Sequence, residues 1–276
     1  LGSIRSAEKE GRRIKVKIEK LFGLLKIGFL EGFAYRLDLV MALLSSLILI
    51  GIYYFLWGAV FKLRPLIDDM DFSFMVSYIC LVQIIQRFSQ TEHLERDIAE
   101  QVRDGSIATQ LMRPWSFQVY SYLTVYARSL FSFVMTSIPL FLFSFFLLGL
   151  KFPGFLNLLL FILSLQLAFL VSAGLSFLVG LAAFYLRSNE GVIQVKDFIA
   201  TILSGALVPL AMFPNWLERL SSLLPFQTIV AVPIGIYTGT MSVEALLLQL
   251  FWAAALLILG KSLFLAARRK LEILGG

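Results

Sequence analysis

Between Asp38 and Lys62 the sequence carries no charged residue. A charge at mid-bilayer costs about 2.5–3.5 kcal/mol on insertion scales, and a helix needs about 20 predominantly apolar residues to cross. Leu39–Phe61 meets both conditions, so it predicts a transmembrane helix. The pattern then returns along the chain. Phe72–Gln86 continues toward Thr91 as a second span. A third lies between Arg128 and Lys151 and starts near Tyr120. A fourth lies between Lys151 and Arg187, after a turn at Pro153-Gly154. A fifth occupies 194–213, and a sixth runs from Ala245 toward Leu265, with Lys261 placed to snorkel to the interface.

Composition agrees. The chain is 59% hydrophobic and 15% charged, with a mean hydropathy of +0.84, whereas soluble domains hold about 45–50% apolar and about 25% charged residues. The expected fold is an all-α integral membrane protein, one transmembrane domain over 1–276. Its six spans are 37–61, 72–91, 120–150, 155–186, 194–213 and 243–266. Residues 1–20 are polar and basic and do not read as a cleavable signal.

Leu220–Val243 is also free of charge, but Pro225, Pro233, Gly235 and Gly239 would break a lipid-facing helix. A seventh crossing would also put Lys261, Arg268, Arg269 and Lys270 opposite the basic N-terminus. The segment 214–242 therefore reads as an extracellular re-entrant hairpin of two short helices. With six spans, most basic residues, from Arg5 to Arg36 and from Arg87 to Arg113 among them, share one side with Arg187, Lys196 and the C-terminal cluster. The other side receives Lys62, Arg64, Lys151 and Arg219. Lys and Arg favour the cytoplasmic side, so both ends, including the tail 267–276, are expected in the cytoplasm. The net charge of +6 thus reflects topology, and no nucleic-acid partner is expected.

Within 1–36, Ile14, Ile18, Leu21, Phe22, Leu25 and Phe29 share one helical face, with Lys15, Lys17, Lys20 and Lys26 off its centre. This predicts an amphipathic helix on the inner leaflet, its lysines toward anionic lipid. The loop 92–116 is the one substantial cytoplasmic connection. Leu94, Ile98 and Val102 recur at helical spacing, Asp104-Gly105 stops the helix, and Ser106 can cap a second short helix from Ile107 to Met112 that Arg113-Pro114 ends. Two capped helices of mixed charge predict a docking surface rather than a plain connector.

The spacing Ile98, Val102-Arg103, Gly105, Ile107, Leu111, Arg113-Pro114 resembles the loop signature of ABC-2-type permeases, the membrane subunits of ABC exporters. The nearest branch is that of uncharacterised export permeases that pair with a second permease. Phe213-Pro214-Asn215-Trp216-Leu217, Leu224-Pro225-Phe226 and Pro233 to Gly239 are similar to that family's hairpin before the last helix. The resemblance implies that the 95–114 loop is a coupling helix seated in an ATPase subunit. Glu95, Asp97, Glu100, Arg103, Asp104, Gly105, Leu111, Arg113 and Pro114 would then be the coupling residues, and Pro214, Trp216, Pro225, Phe226, Pro233 and Gly239 would build the hairpin. It also implies ATPase subunits, a second permease (identical or paralogous) and membrane lipids as partners, in the cell membrane.

No phosphate-binding loop is present. Gly260-Lys261-Ser262 is a fragment of one, with Ala255 where its first glycine would stand. ATP and magnesium are thus expected on a partner subunit, with no cofactor on this chain. One histidine, His93, and one cysteine, Cys80, exclude a multi-histidine metal site and an intrachain disulfide, and leave little for acid–base or metal chemistry. The leading expectation is a non-catalytic permease exporting an apolar or amphipathic substrate such as a lipid, drug or peptide. The amides Gln83, Gln86, Asn157 and Gln166 are pathway candidates, although amides in spans commonly pack helices together. The alternative is an ion-coupled carrier, which would need an intramembrane ionisable group.

Overall fold

A computed structural model describes residue 23 and residues 36–67, 70–111, 116–186 and 188–274. Apart from Gly23, the expected amphipathic helix at 14–29 lies outside the described residues, as do the coupling residues Arg113 and Pro114. Among the described residues every regular element is helical, apart from an isolated bridge between Ile67 and Met70. The longer helices are α1 (Arg36–Leu63), α2 (Phe72–Phe88), α3 (Glu92–Arg103), α4 (Ile107–Leu111), α5 (Phe117–Leu147), α6 (Phe155–Leu181), α7 (Glu190–Leu203), α8 (Asn215–Leu223), α9 (Ala231–Thr238) and α10 (Ala245–Leu274).

Among the described residues, five helical runs are long and apolar enough to cross a membrane: Leu37–Leu63, Phe72–Arg103, Phe117–Leu147, Phe155–Phe184 and Ala245–Arg268. The second takes α2 and α3 together through a short break at 89–91. Over 194–213, expected as one span, the chain is not a continuous helix. Helix α7 starts at Glu190 and holds 14 residues, short of the roughly 20 that a straight crossing needs. It ends at Ser204, and Gly205 follows at φ 83°, a left-handed conformation open to glycine. Pro209 then precedes a single tight turn at Leu210–Met212. Apolar composition alone concealed this Ser-Gly-Pro punctuation.

Local chemistry sets the other boundaries. The Asp71 carboxylate accepts the Phe74 N–H at 2.7 Å and starts α2. Ser116 does the same for α5 through the Val119 N–H. Within α5, Phe133–Ser137 is a π-helical turn. Pro139, two residues beyond it, has no N–H for the Met135 carbonyl, and the ladder shifts to a wider turn there.

Helix α6 is the central element, with α3, α5, α9 and α10 packed around it. Phe88, Phe131, Phe169 and Phe177 are fully buried, while α1 at the edge exposes Phe55 (77%) and Leu37, as a lipid-facing helix does. The segment 214–242 holds the short helices α8 and α9, joined through a tight turn at Pro225–Thr228. Helix α9 is buried from Ala231 to Tyr237. It accepts Pro233 in its first turn, where an N–H is not needed, and closes on Gly239 at φ 75°. The Gln249 amide fastens this segment, donating to the Thr228 carbonyl at 2.7 Å and the Ser164 carbonyl at 3.2 Å.

Gly174 lets α6 meet α10 closely: a Cβ there would stand 2.7 Å from the Leu256 Cβ, which cannot swing away. Gly174→Ala is expected to destabilise the protein by about 1–3 kcal/mol. Gly58→Ala on α1, where the nearest atoms would be 3.7 Å away, is expected to be neutral or to stabilise by up to about 1 kcal/mol. Thermal unfolding of both variants in the same detergent separates the two outcomes.

Candidate functional site

Helix α3 presents one face to the protein and one away from it. Leu94, Ile98 and Ala99 are buried on the inner face, and Ile98 lies over Gly180 of α6, where an added Cβ would come within 2.9 Å of its Cδ1. Glycine at that point permits the close crossing. On the outer face Glu100, Arg103 and Asp104 are exposed, and Gly105 at φ 77° turns the chain. The Ser106 N–H donates to Asp104 Oδ1 at 2.8 Å. Hydrogen bonds from Ser106, side chain and backbone, hold the Asp104 carboxyl below the usual carboxylate range. Ile107 is buried and anchors the start of α4.

Among the described residues, three ion pairs tie α3 to its neighbours. Asp97 accepts from Arg128 of α5 at 2.9 Å, and Arg96 lies 3.8 Å from Glu190 at the start of α7. The third is internal. Glu95 is not on the outer face: its side chain is fully buried and pairs through Oε1 with Lys196 of α7, itself 14% exposed. Position i+1 from Leu94 turns Glu95 toward α6 and α7, so among the expected coupling residues it is an inward anchor. Ser176 donates to the same oxygen. Thr91 Oγ1 lies 2.8 Å from the hydroxyls of Ser172 and Ser176, and Ser172 donates to the Ser89 carbonyl. Lys196 also contacts Asp197 at 2.7 Å, and Glu95 Oε2 is buried without a partner.

The four pathway amides are not brought together. Gln83 is buried within α2, and Gln166 accepts from the Tyr126 hydroxyl at 2.8 Å. Gln86 opens on a cavity of about 280 Å³ beside Arg87, Thr91, Ser172 and Lys196. Asn157 lines a separate cavity of about 910 Å³ between the start of α2, the turn before α6 and the 214–242 segment. Asp71, Lys151, Glu218 and Gln227 share that lining with Phe74, Tyr78 and Tyr237. Of the hairpin residues, Trp216 is 68% exposed, Pro214 caps α8, Pro225 and Pro233 are buried, and Phe226 is half-buried. The sequence reading missed the roles of Lys196, Ser164 and Gln249. Lys196-Asp197 inside the run Ile193–Leu203 was the available signal, because a charge kept within apolar sequence asks for a partner.

Breaking a buried pair from one side leaves an uncompensated charge. Lys196→Met is therefore expected to cost about 3–5 kcal/mol, whereas Glu95→Gln combined with Lys196→Met costs less than the single lysine change. Denaturation of the four chains of this double-mutant cycle, in one detergent, checks the ordering.

No curated protein sequence matches this chain. A family model described as ABC-2 family transporter protein matches residues 47–275, which takes in every long apolar helix except the first turns of α1. The chain thus belongs to the ABC-2 family of transporter proteins, as a multi-pass membrane permease.

Proposed function

We propose that this chain is the membrane-spanning half of an ATP-driven exporter, with the α3–α4 loop as the seat of a separate ATPase subunit. The single observation that carries the reading is the two-sided character of α3. Its outer face offers Glu100, Arg103 and Asp104, while Asp97 pairs with α5, the buried Glu95 pairs with α7, and the inner face packs on α6. A surface meant only to be solvated has no need of such anchoring, whereas one that receives force does.

The rest of the reading follows from the family and from the distribution of charge. A sixth crossing is made by α7 together with the broken segment 204–213, and both ends are cytoplasmic. Two permeases enclose the pathway, in the cell membrane. Transport then requires differential binding of substrate in two conformations and no catalytic side chain. The mixed aromatic, amide and hydroxyl lining of the 910 Å³ cavity supports an amphipathic substrate. An ion-coupled carrier would need an ionisable group free to take up the ion, whereas the buried Glu95 is already met by Lys196.

The purified chain alone is expected to hydrolyse no ATP and to co-purify with an ATPase when the two are co-expressed. Arg103→Glu with Asp104→Lys, or Leu111→Asp, is expected to weaken that complex by about tenfold or more. Pull-down and coupled ATPase assays check this, and variants that assemble and hydrolyse like the parent would sink the docking role.

A further inference from the structure

Helix α7 is a rod held at its two ends. Of its 14 residues only Ile193 and Leu203 are buried, and Val195 and Phe198 are 59% and 68% exposed. At the far end, the Ser204 carbonyl accepts the Ala231 N–H at 3.1 Å and the Gly205 carbonyl accepts the Tyr78 hydroxyl at 2.6 Å. Two ties run to α3: Glu190 at the near end pairs with Arg96, and Lys196, midway along the helix, pairs with Glu95. The first of these pairs is half exposed on both sides, and such pairs are worth little. The second is buried and reinforced by Ser176.

The surroundings of the second pair allow movement. The 280 Å³ cavity lies between the α2–α3 junction and the stretch of α7 from Lys196 to Ser204, so α7 has space beside it from the Glu95 tie onward. The hydroxyls of Thr91, Ser172 and Ser176 line up behind Glu95. Side chains of this kind can exchange partners at small cost as helices slide, while a packed apolar contact resists intermediate positions.

We propose that Glu95 and Lys196 are the positioning pair that carries motion of α3 to α7, so that α3 and the first half of α7 move as one body. This rests on the reading that the α3–α4 loop seats an ATPase. It adds which helix receives the stroke and through which side chains. Neither residue touches nucleotide. Their role is to make the position of α7 depend on that of α3, which is a coupling free energy between two elements.

The test is hydrogen–deuterium exchange on the assembled permease–ATPase complex in lipid nanodiscs, nucleotide-free and trapped with ATP and vanadate. In the parent complex, peptides covering 92–103 and 190–203 are both expected to change their exchange on trapping. In the chain carrying Glu95→Gln and Lys196→Met, which removes the pair and leaves only the 38% exposed Asp197 without its lysine, the response at 92–103 persists. The response at 190–203 falls by about tenfold. Lys196→Arg, which keeps a cation there, retains both responses. A pair with a merely structural role would raise exchange at 190–203 in both states and leave the nucleotide-dependent difference intact. That result overturns the proposal, as does a parent complex in which 92–103 responds and 190–203 does not. A chain that neither binds the ATPase nor responds at 92–103 overturns the ATPase reading itself, and the tie with it.

Discussion

In hydrocarbon no water is available to a bare N–H or C=O, so a chain that leaves the helix inside a membrane protein must find its hydrogen bonds within the protein. The least regular stretch here, from Ser204 to Ala231, depends on that rule. Its carbonyl at Gly205 is met by Tyr78 of α2, and its carbonyl at Thr228 by Gln249 of α10. Its two ends are joined by the Ala231 N–H on the Ser204 carbonyl. At the α2–α3 junction, the Ser89 carbonyl is likewise met by Ser172 of α6. The carbonyls of Gly205, Thr228 and Ser89 are thus each answered by a polar side chain on a different long helix. The long helices are arranged so that those donors arrive at the breaks.

The same logic explains why the inner face of α3 mixes apolar and ionic contacts. Leu94 and Ile98 supply burial, and Ile98 can approach α6 because Gly180 has no side chain. Burial and the Ile98–Gly180 fit set how closely α3 lies on α6, but they do not tie it to any other helix. Asp97–Arg128 and Glu95–Lys196 add direction, toward α5 on one side and α7 on the other. Taking a buried pair out of water is costly, and a hydrophobic replacement often matches it in stability. Its contribution is therefore better sought in where α3 and α7 sit relative to each other than in how tightly the protein is folded.

Belonging to the ABC-2 transporter family gives these features a common purpose. A membrane permease acts through changes of helix position. The elements suited to that are the ones with few buried side chains and well-defined ends, as α7 has. The centre around α6 and α10, drawn together at Gly174 and joined to α5 by the Phe117–Phe264 stack, supplies the frame against which such movement is measured.

Helical class, the apolar runs of α1, α5, α6 and α10, and the amphipathic loop with its Gly105 stop were all legible in the sequence. Each depends on local composition, helical period or one residue's φ preference. The expected span at 194–213 was not legible as a broken element, because a charge-free window looks the same whether Gly205 and Pro209 interrupt it or not. Nor was the inward turn of Glu95. Along the chain it is one acid among several in a charged loop, about a hundred residues from Lys196. What the sequence by itself determined is that the chain enters the membrane many times and where its polar segments lie, since solvation is priced residue by residue. Which charges face each other, which breaks are satisfied and which helix is left loosely held were decided by tertiary structure alone, because those depend on what long-range packing brings within hydrogen-bonding distance.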